Sequence, residues 1–377
     1  MKQSVPTDPS QLRPFVESDP LISRLASDRA GDEPVYLAGG AIRDLLSGSA
    51  ITDLDLVVKA GAAELALALA HDALIHERFG TAELEVDGTR IDIATARQET
   101  YPHPGCLPEV SFAATIEDDL ARRDFSINAM AVSLAEPDRL IDPLGGLNDL
   151  GRGVLRVLHE KSFIDDPTRA LRAARYAARF GFDLDPGTAD LLADVDLKSV
   201  SSERVRHELE LISAESTGVE AFRLISVWGL IDIGPERLET ARIAVELLYT
   251  DIWRGRETRS GVVLEALFAN TPELPVETPA LPSTGYELAR RLTAAELVVN
   301  RALGVEWLDT YEEEWSVVQL SITGDDLVLA GLLQGPAIGV GLAAALEARL
   351  DRGVTAIDDE LRIAVEAADA AAAGEPE

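Results

Sequence analysis

The chain of 377 residues holds one cysteine, Cys106, and only four lysines among its 34 basic residues. A lone cysteine excludes an internal disulfide framework and a cysteine-rich zinc site. The five histidines, at 71, 76, 103, 159 and 207, are scattered and show no metal-ligand spacing. Aromatic residues make up 5% of the chain while Ala and Leu abound, a balance that favours helices. No apolar run reaches the roughly 20 residues of a membrane span, and the opening "MKQSVPTDPSQLRPF" has no apolar signal core. The expectation is a cytoplasmic protein with no membrane association and two to four structural units.

Basic charge is scarce overall: 34 Lys and Arg stand against 66 Asp and Glu, a formal net charge of −32. Loose binding of nucleic acid over the whole surface needs phosphate neutralisation and is excluded. A local basic groove is not. Residues 121–181 hold ten basic and eight acidic residues, whereas 301–377 hold four and sixteen. The acidic excess reads as salt adaptation or an acidic proteome rather than as a functional device.

What is present is clearest in "LAGGAIRDLLSGSAITDLDLVV", residues 37–58. A short apolar strand ends on Gly39-Gly40, a short helix follows, and a second strand carries Asp53 and Asp55. At i and i+2 on a strand both carboxylates share a face. They repel unless a cation lies between them, and hard oxygen ligands suit Mg²⁺, which keeps substrate phosphates in its shell. Two such metals serve phosphoryl transfer. Taken alone, each feature has a plainer reading: a solvated strand edge, a turn, a surface Arg43–Asp44 ion pair. Together within 17 residues they read as a phosphate site, with Gly39 and Gly40 admitting a phosphate, Arg43 reaching it and Asp44 orienting Arg43.

The pattern Gly-Gly-x-x-Arg-Asp followed by Asp-x-Asp resembles the class II tRNA nucleotidyltransferase and bacterial poly(A) polymerase family. "EDDLARRDFSINAMA" (117–131) is similar to its second motif, with Ser126 for the usual Thr; the resemblance implies ribose and phosphate contacts for Arg122, Arg123 and Asp124 and a structural role for Asn128. "IDPLGGLNDL" (141–150) resembles the connector between head and neck. "DDPTRALRAARYAARFGF" (165–182) resembles the nucleotide-reading motif, with Asp165 for the usual Glu and Tyr176 for the usual Phe. Asp166 and Arg169, three apart, would be neighbours on a helix, with Arg172 a further step on. A carboxylate beside a guanidinium can meet the amino donor and ring-nitrogen acceptor shared by cytosine and adenine; the plainer reading is an exposed salt-bridge ladder. Arg175, half a turn from Asp166, would meet phosphates or tie the neck to the head. Asp92 is either a third carboxylate facing the metals or a solvated strand residue. Arg97 opens a Pro-rich loop. In the family this loop helps the site move from C to A addition, and its intact length favours addition of the terminal A. "ITGDDLVLAGLLQGPAIGVGLAAAL" (322–346) resembles the tail segment, where Gly335, Pro336 and Gly339 would make a tight turn before a helix, either packing or meeting an RNA phosphate.

The resemblance implies an α+β fold: a polymerase-beta-like nucleotidyltransferase head with a mixed sheet, then an elongated all-helical neck, body and tail. The expected division is a lead-in (1–33) with a short helix near Leu21–Ala26, a head (34–145), a base-reading neck (146–215), a body (216–290) and a tail (291–377) in contact with tRNA. The implied activity is template-independent completion or repair of the 3′-terminal CCA of tRNA from CTP and ATP, with two Mg²⁺ ions at Asp53 and Asp55. Alternatives are A-only or poly(A) addition by the same chemistry, and a catalytically silent RNA-binding protein. No His-Asp pair marks an attached phosphohydrolase domain, and no basic C-terminal run marks a poly(A) polymerase. No protein partner can be inferred.

Overall fold

The computed structural model describes residues 7–28, 34–51, 53–112 and 114–373. Of the predicted lead-in, 1–6 and 29–33 lie outside the described residues; the rest folds as helices α1 (Leu12–Ser18) and α2 (Pro20–Asp28), the latter covering the predicted short helix. The described residues divide by internal contacts into two units, one up to Asp232 and one from Ile233. That boundary falls inside the segment read as the body.

The first unit is built on a mixed seven-stranded sheet. Its strands are β1 (Val35–Ala38), β2 (Asp53–Val58), β3 (Leu74–His76), β4 (Thr81–Val86), β5 (Thr89–Thr95), β8 (Ala131–Ser133) and β9 (Glu136–Ile141), in the spatial order β3-β4-β5-β2-β1-β8-β9. Only β2 and β5 run parallel; every other pair is antiparallel. A turn at Asp87-Gly88 joins β4 to β5, as that dipeptide between alternating runs predicts. Helix α3 (Gly40–Leu46) follows β1, and α4 (Ala62–Leu69) follows β2. A separate hairpin, β6 (Arg97–Thr100) with β7 (Glu109–Phe112), flanks the Pro-rich segment that the sequence marks only as a loop.

Helices α5 (Ile116–Ala121), α6 (Gly146–Arg152), α7 (Ser162–Asp165) and α8 (Thr168–Phe180) carry the chain onward. Strands β10 (Val154–Leu155) and β11 (Asp183–Leu184) form a two-residue parallel pair. Helices α9 (Pro186–Asp190), α10 (Ser202–Ala214) and α11 (Gly218–Val227) complete the unit. Small residues Ala170, Ala173 and Ala177 let α8 pack closely into the core that buries Leu37, Leu54, Leu56, Ile91 and Phe125. Helix α8 is therefore packed on the same core as the sheet.

The second unit is helical: α12 (Pro235–Leu247), α13 (Arg259–Phe268), α14 (Pro282–Ala289), α15 (Ala294–Ala302), α16 (Leu308–Thr310), a π turn at Tyr311–Trp315, α17 (Gly324–Leu329), α18 (Pro336–Arg352) and α19 (Ile357–Ala373). Pro235, Pro282 and Pro336 each open a helix, where the missing amide costs nothing. Gly339 lies inside α18, Pro336 opens that helix and Gly335 is its extended N-cap, so the three do not form a turn ahead of the helix.

Candidate active site

One cleft of about 830 Å³ lies within the first unit, between the ends of β2 and β5 and helices α8 and α10. Its lining includes Gly40, Arg43, Asp53, Asp55, Asp92, Arg122, Arg123, Asp124, Asp166, Arg169, Arg172 and Arg175. Gly39 lies at its edge, and Arg97 lies behind the lining.

At the strand end, alternation along β2 turns Leu54 and Leu56 into the core and leaves Asp53 and Asp55 on the other face. The parallel register sets Asp55 beside Asp92 and Asp53 beside Arg90. The Gly40 amide, in the first turn of α3, donates to Asp55 Oδ2 at 3.0 Å. Gly39 has φ of 69°, and a Cβ there would collide with the Arg123 guanidinium and stand 2.8 Å from Asp55 Oδ2. No side chain fits at position 39.

Burial pushes the Asp55 carboxyl above the ordinary range; Arg123, the Gly40 amide and Arg43 pull against it, while Asp53 adds to the rise. Asp92 is raised too, by burial and by the neighbouring Asp55, Glu83 and Asp53, against the pull of Arg90. Asp92 Oδ1 is buried and has no hydrogen-bond partner. The Arg90 Nε stands 3.6 Å away, close enough for attraction but too far for a hydrogen bond. This end of the cleft is short of positive charge. Among the described residues no group of three or more His, Cys, Asp or Glu side chains forms a metal site by itself. The arrangement suits a hard divalent ion that takes few protein ligands and completes its shell with phosphate and water.

In the middle of the cleft, a capping box at Thr115 starts α5 and buries Asp119. Asp119 Oδ1 receives Arg122 Nε at 2.9 Å and Nη2 at 2.7 Å, and Oδ2 receives Arg123 Nη2 at 3.3 Å. Glu99 Oε1 takes a third Arg122 donor at 3.0 Å and two from Arg97, at 3.0 and 2.7 Å. Arg97 also donates to the Phe79 carbonyl, so it braces Glu99 from behind. Arg123 Nε is buried without a partner.

At the helix end, Asp124 is saturated. Its Oδ1 accepts from the Phe125 amide and Asn128 Nδ2, both at 2.9 Å, and its Oδ2 from Arg172 Nε at 2.9 Å and Nη2 at 2.7 Å. Burial alone would raise this carboxyl, but the Arg172 charge and these hydrogen bonds, with Arg169 nearby, hold it at about 2. Arg172 in turn sits well above its ordinary value: Tyr176, Asp124 and Glu208 outweigh the cost of burial. Arg175 ties α8 to α10 and the residue after it, through Glu208 at 3.6 Å and Glu215 at 3.3 Å. Both partners lie within 146–215, the segment read as the neck, so these ion pairs brace that segment internally rather than tie it to the head.

Asp124, with four hydrogen bonds already accepted, is not free to contact ribose as the resemblance implies, and two further sequence-based expectations need correction. Arg43 does not offer a free fork to phosphate. It is buried, bidentate to Asp44 at 2.8 and 2.9 Å, and bonded to Asn128 at 2.6 Å, with its guanidinium over the Tyr176 and Phe180 rings. Asp44 orients Arg43 as expected, but inside the protein. Asp166 and Arg169 do not share a helix face, because Asp166 is extended (φ −137°, ψ 93°) just before α8. A residue ahead of proline is driven from the helical region, and Pro167 follows it. Asp166 instead takes Arg204 as its ion-pair partner at 2.9 Å. Arg169 donates to Ser162 Oγ at 2.8 Å and to the Arg122 carbonyl at 2.9 Å.

Arg204, Glu208 and Tyr101 also line the cleft, and the sequence reading passes over them. A signal existed for two: Arg204 and Glu208 lie at i and i+4 on the helix after the arginine ladder, where partners for it belong.

A family profile described as the poly A polymerase head domain matches residues 35–156. The CC-adding tRNA nucleotidyltransferase of Deinococcus radiodurans is 33% identical over 352 residues, covering 89% of this chain and 90% of that protein. The chain belongs to the tRNA nucleotidyltransferase and poly(A) polymerase family. A-adding tRNA nucleotidyltransferases of Aquifex aeolicus and Halalkalibacterium halodurans are each 42% identical, over 207 and 201 residues; the matches cover 52% and 50% of this chain but only 25% and 47% of those proteins. Among solved structures, a CCA-adding enzyme in an apo form superposes with a TM-score of 0.79 at 31% identity, over 97% of this chain and all of that one. CCA-adding enzymes in complex with tRNA, ATP and CTP superpose at 28% identity with TM-scores of 0.74 to 0.77. Nucleotidyltransferases of this family generally use divalent metals.

Proposed function

We propose that the chain is a template-independent tRNA nucleotidyltransferase that completes or repairs the 3′-terminal CCA from CTP and ATP, releasing pyrophosphate. The carrying observation is the division of one cleft into an acidic strand end short of cations and an arginine-rich helix end. A nucleoside triphosphate matches it, with phosphates toward β2 and base toward α8. The CC-adding relative similar over nearly the whole chain supports tRNA nucleotidyl transfer, and the tRNA, ATP and CTP complexes of similar CCA-adding enzymes support the CCA product. Asp53 and Asp55 together count against a silent RNA-binding protein.

In the reaction the tRNA 3′-hydroxyl oxygen bonds to the α-phosphorus, the bond from the α-phosphorus to the oxygen bridging the β-phosphorus breaks to release pyrophosphate, and the hydroxyl proton passes to water. Two Mg²⁺ ions held by Asp53 and Asp55 would make that hydroxyl more acidic and neutralise the leaving pyrophosphate. The Gly40 amide keeps Asp55 turned into the cleft. Asp119 aims Arg122 and Arg123 at the ribose and phosphates, and the bound Asp124 fixes Arg172 beside the base. Asp166 accepts the amino group common to cytosine and adenine. The neck at 146–215 reads the base, the body spans 216–290, and the tail at 291–377 meets the tRNA. No helix among the described residues is long and apolar enough to cross a membrane, and a cytoplasmic enzyme is the reading that fits tRNA as substrate.

The test uses purified protein, Mg²⁺ and tRNAs lacking one, two or three terminal nucleotides, with each nucleotide alone and in pairs. Completion of CCA with CTP plus ATP is expected. Addition of A alone would instead favour the reading suggested by the two A-adding relatives, long A tails would favour poly(A) synthesis, and no addition at all would refute the enzyme.

A further inference from the structure

We infer that Arg90 is a positioning residue that acts as the resident counter-ion of the strand end: its guanidinium supplies part of the positive charge that a divalent ion brings, so metal loading competes with Arg90, and Arg90 sets how much Mg²⁺ the site needs. The inference rests on the proposed reading of Asp53 and Asp55 as the metal-holding residues.

The sheet builds the arrangement. Cross-strand partners share a face. The register sets Asp53 beside Arg90 and Asp55 beside Asp92; on the other side of β5 it sets Glu85 beside Arg90 and Glu83 beside Asp92. The buried Leu54, Leu84 and Ile91 take the opposite face. One face of β2, β4 and β5 thus carries Asp53, Asp55, Asp92, Glu83 and Glu85, and Arg90 is the only cation on those three strands.

The guanidinium lies between two of these carboxylates. Its Nη2 donates to Glu83 Oε2 at 3.2 Å, and its Nε stands 3.6 Å from Asp92 Oδ1. The other Glu83 oxygen lies 3.4 Å from His76 Nε2, so Glu83 is engaged from both sides. Neither contact fixes Arg90. Its side chain is 56% exposed, and exposed ion pairs contribute little. Asp92 Oδ1 stays buried with no hydrogen bond. Arg90 therefore offsets the charge of Asp92 without satisfying it.

That combination sets the sign of the effect. A divalent ion at Asp53 and Asp55 is attracted by every carboxylate on the face, is repelled by the Arg90 charge, and competes with it for Asp92. The long exposed stem lets Arg90 turn outward, and Glu85, directly across on β4, offers it a carboxylate. Removing the charge and leaving the carboxylates should tighten metal binding. A lysine keeps the charge and loses only the fork.

The test titrates the full chain with Mn²⁺, which takes the same oxygen ligands, in the absence of nucleotide and tRNA, and reads the free ion by electron paramagnetic resonance. Wild type, Arg90→Ala, Arg90→Lys and Asp55→Asn are compared, and the site is the binding that Asp55→Asn removes. Arg90→Ala is expected to lower the Kd at that site about threefold or more, and Mg²⁺ should raise its melting midpoint by more than it raises that of wild type. Arg90→Lys should stay near wild type in both measurements. An Arg90→Ala variant that binds Mn²⁺ no more tightly than wild type would overturn the inference, as would an Arg90→Lys variant that binds as tightly as Arg90→Ala. Absence of any Asp55-dependent binding in wild type and both Arg90 variants is a different outcome: it would refute the metal reading of Asp55 itself, and this inference with it.

Discussion

The two ends of the cleft treat their carboxylates in opposite ways. At the strand end, Asp55 and Asp92 are pushed above the ordinary carboxylate range, and an Asp92 oxygen is buried with no hydrogen bond. At the helix end, Asp124 accepts four hydrogen bonds and is held at about 2. Burial differs between them, since Asp53 is exposed and Asp92 half-buried while Asp124 is buried, but the opposite directions of the shifts come from the supply of donors. A satisfied buried carboxylate is scaffold, because its charge is already spent on Arg172. An unsatisfied one beside another carboxylate stores a demand for cations that a substrate–metal complex can meet.

The largest effect that could break this comparison is at the strand end. Asp53→Ala or Asp55→Ala should lower nucleotide addition by about a hundredfold or more while leaving tRNA binding nearly unchanged and without lowering the melting midpoint. Retention of a tenth of wild-type activity would remove the metal assignment. At the helix end the same kind of change should act on stability. Asp124→Ala strands Arg172 with Glu208 as its remaining carboxylate, and breaking such a buried pair costs roughly 3 kcal/mol or more. Calorimetry showing an unchanged midpoint would mean that Asp124 is not scaffold. Arg43→Ala should likewise unsettle the fold, since its donors serve Asp44 and Asn128.

The pH dependences should also run in opposite directions. The folded-state value of Asp124 lies below its unfolded value near 3.9. Its contribution is therefore complete above about pH 4 and is lost as the pH falls through about 2. Asp55 and Asp92 are raised, so their ionised forms oppose folding at neutral pH, and the opposition fades as the pH falls through their raised values. Mg²⁺ should provide the same relief at neutral pH, raising the melting midpoint of wild type and raising it less in Asp55→Asn. An equal Mg²⁺ response in both proteins would place the ion elsewhere. The smallest effect belongs to the surface of the second unit: Arg242→Ala, which removes only exposed i,i+3 and i,i+4 pairs with Glu239 and Glu246, should move the midpoint by less than about 1 °C.

The strand end was legible in the sequence because its signals are local. The period of two puts Asp53 and Asp55 on one face, and the glycine pair marks the turn beside them. The turn at Asp87-Gly88 was readable for the same reason. The helix end depends on distant partners: Arg43 meets Asn128, 85 positions away, and the rings of Tyr176 and Phe180. No spacing rule reveals that an arginine in a phosphate-like motif is buried by such contacts. The β6–β7 hairpin escaped notice because its strands are short and polar and Pro-rich chain separates them. Asp166 is a different case. The bias of Pro167 against a helical preceding residue predicts the extended conformation found, whereas the three-residue spacing to Arg169 alone predicts a shared helix face.

The account turns on a division of labour, with chemistry at the strand end and base choice at the helix end. The most direct measurement is single-turnover addition of each of the four nucleotides to tRNA lacking CCA, by wild type, Asp55→Asn and Asp166→Asn. The account predicts that Asp55→Asn slows CTP and UTP addition by the same large factor, leaving their ratio as in wild type, while Asp166→Asn shrinks that ratio tenfold or more. Two variants that depress both nucleotides alike, or an Asp55→Asn that changes the ratio as much as Asp166→Asn does, would contradict it.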